Sequence, residues 1–218
     1  MSWHIPTITN QLYQPMHHPT DPLQTLPWYK SIIPDPYQVI AQFFTCDTIA
    51  SHRITIQGVF MAASSHVVYN DLEPGDTIFV GKMLESLLLA ADLINGEKKQ
   101  SPLVIDREDM FNPALYCGRH VDCDEWGYLP RSISFEEYTN PYRVLKQFFS
   151  CRSVEEWIRD WNTVLDYALV RNSVYDNSVK MDMFSTYFHL IRLIEAVHLI
   201  DVREVTHVGG RIKKRIEF

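Results

Sequence analysis

Residues 35–46 read DPYQVIAQFFTC, and residues 140–151 read NPYRVLKQFFSC, 105 positions further on. Seven of the twelve positions are identical, with Pro-Tyr, Gln-Phe-Phe and Cys held in one register. An internal duplication is the direct reading. It constrains the fold strongly, because two copies of one segment should keep one backbone. The match continues downstream: Val59 and Ala63 find Val164 and Ala168, and Val68-Tyr69 finds Val174-Tyr175 after a one-residue slip. Leu84, Leu87, Ala90 and Leu93-Ile94 then find Leu190, Leu193, Ala196 and Leu199-Ile200. A weaker match runs upstream at an offset of 103, pairing Leu12-Tyr13, His17, Asp21 and Leu26-Pro27 with Leu115-Tyr116, His120, Asp124 and Leu129-Pro130.

The 218 residues therefore divide into a first unit, 1–111, and a second, 112–218. With 46% hydrophobic and 22% charged residues, the composition is globular. It excludes a disordered chain, a collagen-like fibre and a disulfide-dense mini-protein. The N-terminus lacks a basic start followed by an apolar run and reads as no signal peptide. The most apolar stretch, Met83 to Ile94, is too short and too interrupted to span a bilayer. Four cysteines, Cys46, Cys117, Cys123 and Cys151, fit reduced thiols in a cytoplasmic protein.

Proline punctuates the units. Seven of the twelve prolines fall in the first 36 residues, which reads as an extended, turn-rich arm. Between Pro141 and Gly209 there is neither Pro nor Gly, which favours long helices. Ser153 and Glu156 form a capping-box pattern. Val154, Trp157, Ile158, Trp161, Val164, Leu165 and Ala168 then keep helical spacing. A largely buried helix follows at Asp182 to Ile200, and its copy spans Asp76 to Ile94, closed by Asn95-Gly96. His52–Gln57 alternates like a strand, but its partner in the second copy is the helix around Trp157, so it too is expected to be helical. Val205–Val208, Gly209-Gly210 and the basic run from Arg211 read as a β-hairpin, and Pro102–Ile105 as a strand.

The expected fold is mainly α with short β elements. Each unit is an extended arm plus three helices, the two copies pack about a pseudo-two-fold axis as one compact body, and a C-terminal β-hairpin ends the chain.

Polar residues present in both copies are the first candidates for chemistry: Tyr13 and Tyr116, His17 and His120, Asp21 and Asp124, Gln42 and Gln147. A His beside a carboxylate can ligate a metal or act as an oriented base, so a seam site is one reading. The plainer reading is that these groups satisfy the backbone of an irregular arm. Cys117, His120 and Cys123 are weak metal candidates, since the first copy lacks both cysteines. Cys46 and Cys151 end equivalent helices and read as free thiols. Arg192 and His198 resemble the Arg…His spacing of helical ribonucleases of the HEPN type, which implies RNA cleavage. The first copy has Ser86 and Asp92 there, and Leu193 stands where an Asn or Asp often follows the Arg.

No phosphate loop, nucleophile elbow, zincin or dinucleotide motif is present. The leading expectation is a non-enzymatic protein without cofactor that binds another macromolecule, most readily a protein, or a second copy of itself. Trp3, Trp28 and Trp126 are candidate contacts. One alternative is nucleic-acid binding through Arg211, Lys213, Lys214 and Arg215, in a hairpin similar to that of a winged helix. The net charge of -7 opposes it. The other is a small-molecule or metal site at the seam. The nucleic-acid reading requires salt-sensitive retention on DNA that is lost in Lys213→Ala/Lys214→Ala; no retention at low salt dismisses it.

Overall fold

A computed structural model describes residues 35–97, 104–118, 125–176 and 180–204, and two fragments at 207–208 and 211–212. Asp35, Thr48, Ser153 and Asp182 supply side-chain caps at the starts of four of the six main helices. Asp35 accepts from the N–H groups of Tyr37 and Gln38, and Pro36 presets the first turn of α1, Pro36–Cys46. Thr48 caps α2, Ile49–Ala63, and Pro74 opens α3, Pro74–Asn95. In the second half, α6 is Tyr142–Cys151, and α7 is Val154–Ala168 behind the expected Ser153–Glu156 capping box. The last long helix, α8, is Met183–Glu204. The alternating segment His52–Gln57 lies wholly within α2.

The packing of these six helices is reciprocal. α1 lies on α3 and α8, whereas α6 lies on α8 and α3. α2 meets α7 directly, α3 meets α7, and α8 meets α2. Local detail repeats as well. The His52 imidazole stacks on Phe43 at 4.0 Å between centroids and its Nε2 meets the Phe43 carbonyl at 3.1 Å. The Trp157 indole stacks on Phe148 at 4.1 Å and donates to the Phe148 carbonyl at 3.2 Å. Both rings thereby occupy the end of the preceding helix, where carbonyls lack intrahelical donors. At the centre, Trp161 donates through Nε1 to the Gly81 carbonyl at 3.1 Å. A Cβ on Gly81 would sit 2.5 Å from Leu165 Cδ2, so glycine sets the closeness of α3 and α7.

The expected class needs correction: the packed body is built from helices, with no strand in it. Among the described residues the one pairing of strands is His207–Val208 with Arg211–Ile212, two residues a side. It does not form the expected structural hairpin. An isolated two-strand ribbon with no sheet to join and no extended face to bury is marginal in water. Residues 209–210 and 213–218 lie outside the described residues, and Val104-Ile105 is not a strand.

The second arm is also not extended. It coils through short turns at Arg107–Asp109 and Pro113–Leu115, then through α4, Glu125–Tyr128, and α5, Phe135–Thr139. Pro113 opens a turn here instead of preventing one, because its missing N–H would have no helical partner at a first position. This arm is bound chiefly by α8. The Glu195 carboxylate, 1% exposed, accepts from Arg53 Nη1 at 2.8 Å and from the backbone N–H groups of Arg131 at 3.0 Å and Ser132 at 2.7 Å. Arg53 on α2 also donates to the carbonyls of Leu129, at 3.1 Å, and Gly127. Arg203 donates to the carbonyls of Leu115, at 2.7 Å, and Tyr138, with its guanidinium over the Tyr138 ring.

Glu195→Ala strands Arg53 and two partly buried N–H groups without their acceptor. A loss of about 3–5 kcal/mol is expected. Glu85→Ala, which removes the i,i+3 partner of Lys82, costs about 0.5 kcal/mol or less. Urea denaturation of the two variants side by side measures the difference.

Candidate functional site

The residues singled out in both copies do not assemble into one site among the described residues. Tyr13, His17, Asp21, His120, Cys123 and Asp124 lie outside them, as do Trp3 and Trp28. Tyr116 is buried, and burial raises the pKa of its hydroxyl. Cys117 is a half-buried free thiol, likewise pushed up by burial. No group of three His, Cys, Asp or Glu side chains with metal-binding geometry occurs among the described residues. Gln42 and Gln147 do not share a role: the Gln42 Oε1 is buried without a hydrogen bond, whereas Gln147 accepts from Arg192 at 3.2 Å. Cys46 and Cys151 are free and exposed. Of the basic tail only the Arg211 backbone is described; Lys213, Lys214 and Arg215 are not.

Arg192 and His198 have separate structural employment. Arg192 is ion-paired to the buried Glu137 and lies over the Phe188 ring. His198 is buried between Phe44, at 4.8 Å edge-on, and Tyr128, stacked at 5.9 Å. A helix advances 100° per residue, so positions six apart fall on different faces.

Two tyrosines of the duplicated segment meet at the junction of the halves. Tyr37 donates to Glu97 at 2.8 Å and Tyr142 to Glu204 at 2.5 Å, with the two hydroxyls close to each other. Burial and then the Glu97 hydrogen bond push Tyr37 up to about 12, and burial with Glu204 raises Tyr142 further. The cluster ties the starts of α1 and α6 to the ends of α3 and α8. It joins the two helix pairs to each other.

The feature that faces solvent lies between α2 and the start of α8. A groove of about 430 Å³ is lined by Phe60, Met61, Met183, Phe184 and Tyr187, with Tyr175 at its margin. Its floor is fixed by core packing, since Phe60 meets Tyr187 edge-on at 5.4 Å and Trp161 at 6.3 Å. Its rim is open: Met61 is 64% and Phe184 77% exposed. Phe188, one turn on, continues the aromatic strip, its ring 9° from parallel with Phe184. Gln57 and Ser64 supply the polar groups of the lining.

Met61 and Gln57 match Asp166 and Asn162 on α7, and Phe188 matches Lys82 on α3. Met61 and Phe188 of the α2–α8 pair thus have charged counterparts on the α7–α3 pair, whereas Phe184 matches Ile78, also apolar and exposed. The sequence reading missed it, because Met61 and Phe184 sit in helices whose other apolar residues are core. A comparison of the two copies for positions where one is polar and the other apolar would have found Met61 and Phe188, though not Phe184.

The raised hydroxyl pKa values carry a sign. A group that holds its proton more tightly when folded contributes stability below its unfolded value, near 10, and loses it as pH rises toward the folded value. The denaturation midpoint is therefore expected to fall between pH 10 and 12. Tyr37→Phe should fall less over that interval than the parent protein, as read by urea titrations at both pH values.

Comparison with known protein families, with curated proteins and with solved structures finds no match.

Proposed function

We propose that the protein works without catalysis, by binding another macromolecule, and that the groove between α2 and α8 receives a protein segment carrying bulky apolar side chains. The observation that carries this reading is the open rim of Met61, Phe184 and Phe188 over a rigid aromatic floor. Leaving large apolar groups in water forgoes about 1.5–3 kcal/mol apiece, so a contiguous strip of them marks a contact surface. Aromatic anchors in a preformed apolar cleft are the usual core of such interfaces. Gln57 and Ser64 would satisfy backbone groups of the incoming segment. The groove lacks an acid–base pair or metal-ligand set among its lining residues, which fits binding better than chemistry.

The reading takes the chain as two repeats, 1–111 and 112–218, sharing one body. Residues kept in both hold that body together, and the groove is where they diverge. The nucleic-acid and seam-site alternatives rest chiefly on residues outside the described structure, and no observation here favours them. No described helix is long and apolar enough to cross a membrane.

The test compares proteins captured by the parent chain, by Met61→Glu/Phe184→Glu, and by a control changed on α7, at the position matching Met61, Asp166→Ala. Both altered sites are exposed, so the fold should persist, with circular dichroism as the check. A partner retained by parent and control but lost by at least tenfold from the groove variant supports the reading. Partners bound equally by all three overturn it.

A further inference from the structure

The groove between α2 and α8 opens on a wider apolar face. Ile54, 68% exposed, stands two turns before Met61 on the same side of α2. Tyr175 is 66% and Phe188 42% exposed at the margins. Side chains of this size offer about 150–250 Å² each when bare, so these three with Met61 and Phe184 leave roughly 600–700 Å² in water. A stable protein–protein contact buries about 800 Å² per partner, and this face supplies most of one.

Charge narrows the choice of partner. None of the residues lining the groove is charged. The chain carries a net charge of -7, so two copies repel unless they meet where neither bears charge. A contact about a two-fold axis sets a face against itself, and an uncharged apolar face meets its own image without repulsion. A charged partner would instead be selected by groups of opposite sign around the apolar floor, and the lining supplies none.

The shape is reciprocal as well. Each copy carries a protrusion and a recess side by side: Phe184 at the rim, 77% exposed, and a groove of about 430 Å³. A cavity of about 150 Å³ already holds a benzene ring, so the groove has room for an incoming phenyl group. At the positions matching Met61 and Phe188 the other half carries Asp166 and Lys82. A self-contact of this kind therefore has one face per chain and closes as a dimer instead of propagating as a filament.

We infer that the occupant of the groove is a second copy of this chain: two copies pack through their α2–α8 faces, each seating its Phe184 in the groove of the other. The inference rests on the groove reading and names its partner.

Sedimentation equilibrium of the full chain tests it. The parent is expected to be a dimer at about 100 μM, since contacts of this size hold at micromolar concentrations or below. A substitution counts twice in a two-fold contact, so Phe184→Glu should weaken the dimer by at least about a hundredfold, while Asp166→Ala leaves it unchanged. A monomeric parent, or a Phe184→Glu dimer as tight as the parent's, overturns the inference. A monomeric parent whose captured partner still depends on Met61 and Phe184 overturns the self-contact alone and leaves the groove reading standing. A second variant, Phe184→p-benzoylphenylalanine, keeps an aromatic ring at the rim and does not depend on the fold tolerating a new charge. Isotope-labelled and unlabelled chains are mixed, illuminated and digested with trypsin. The expected product joins position 184 of one chain to the peptide 54–82 of the other, read by mass spectrometry. Cross-links confined to single chains, or none, overturn the dimer.

Discussion

A single buried carboxylate, Glu195, organises the joining of the two halves. It sits on α8, takes its counter-ion Arg53 from α2, and takes two further hydrogen bonds from the backbone of the connecting arm. Removing two charges from water costs several kcal/mol each, and such a pair is tolerable only when every lone pair finds a donor. Here the donors come from two segments far from α8 in sequence, so the pair is satisfied only when all three are packed together. Leu129 and Gly127 are fixed by the same guanidinium, which turns an otherwise irregular arm into part of the body.

Around this clamp the two helix triplets use the same local device twice. An aromatic or imidazole ring near the start of the second helix stacks on a phenylalanine of the first and hydrogen-bonds its carbonyl. The exchange of His52 for Trp157 keeps the ring plane and the ring N–H while changing volume. What the triplets share is therefore the means of joining helices. Where they differ, α2 and α8 present Met61 and Phe188 to solvent, and α7 and α3 carry Asp166 and Lys82 at matching positions. Residues common to both copies drew attention first as candidate chemistry, yet the described ones serve structure.

The helices were legible because their signals are local. Ser153 and Glu156 mark a cap within four residues, and the spacing of Trp157, Trp161 and Ala168 needs one face only. The strand-like alternation of His52–Gln57 was resolved by its helical copy. The tail was misread for the opposite reason: alternation at Val205–Val208 is a weak preference that becomes a sheet only with neighbours to pair and a face to bury. The second arm was misread because Pro and short polar residues suit a helical first turn as well as an extended chain.

The sequence by itself determined the helix order, the Ser153–Glu156 cap and the residue-by-residue match between the two halves, since the first two depend on residues near one another along the chain and the third on the letters alone. Tertiary structure alone decided which polar residues of α8 are buried and which apolar residues of α2 and α8 are left in water. Glu195 and Phe184 look ordinary in a helical pattern. Only the packing of α2 and the connecting arm against α8 makes one a buried clamp and the other the open rim of a groove.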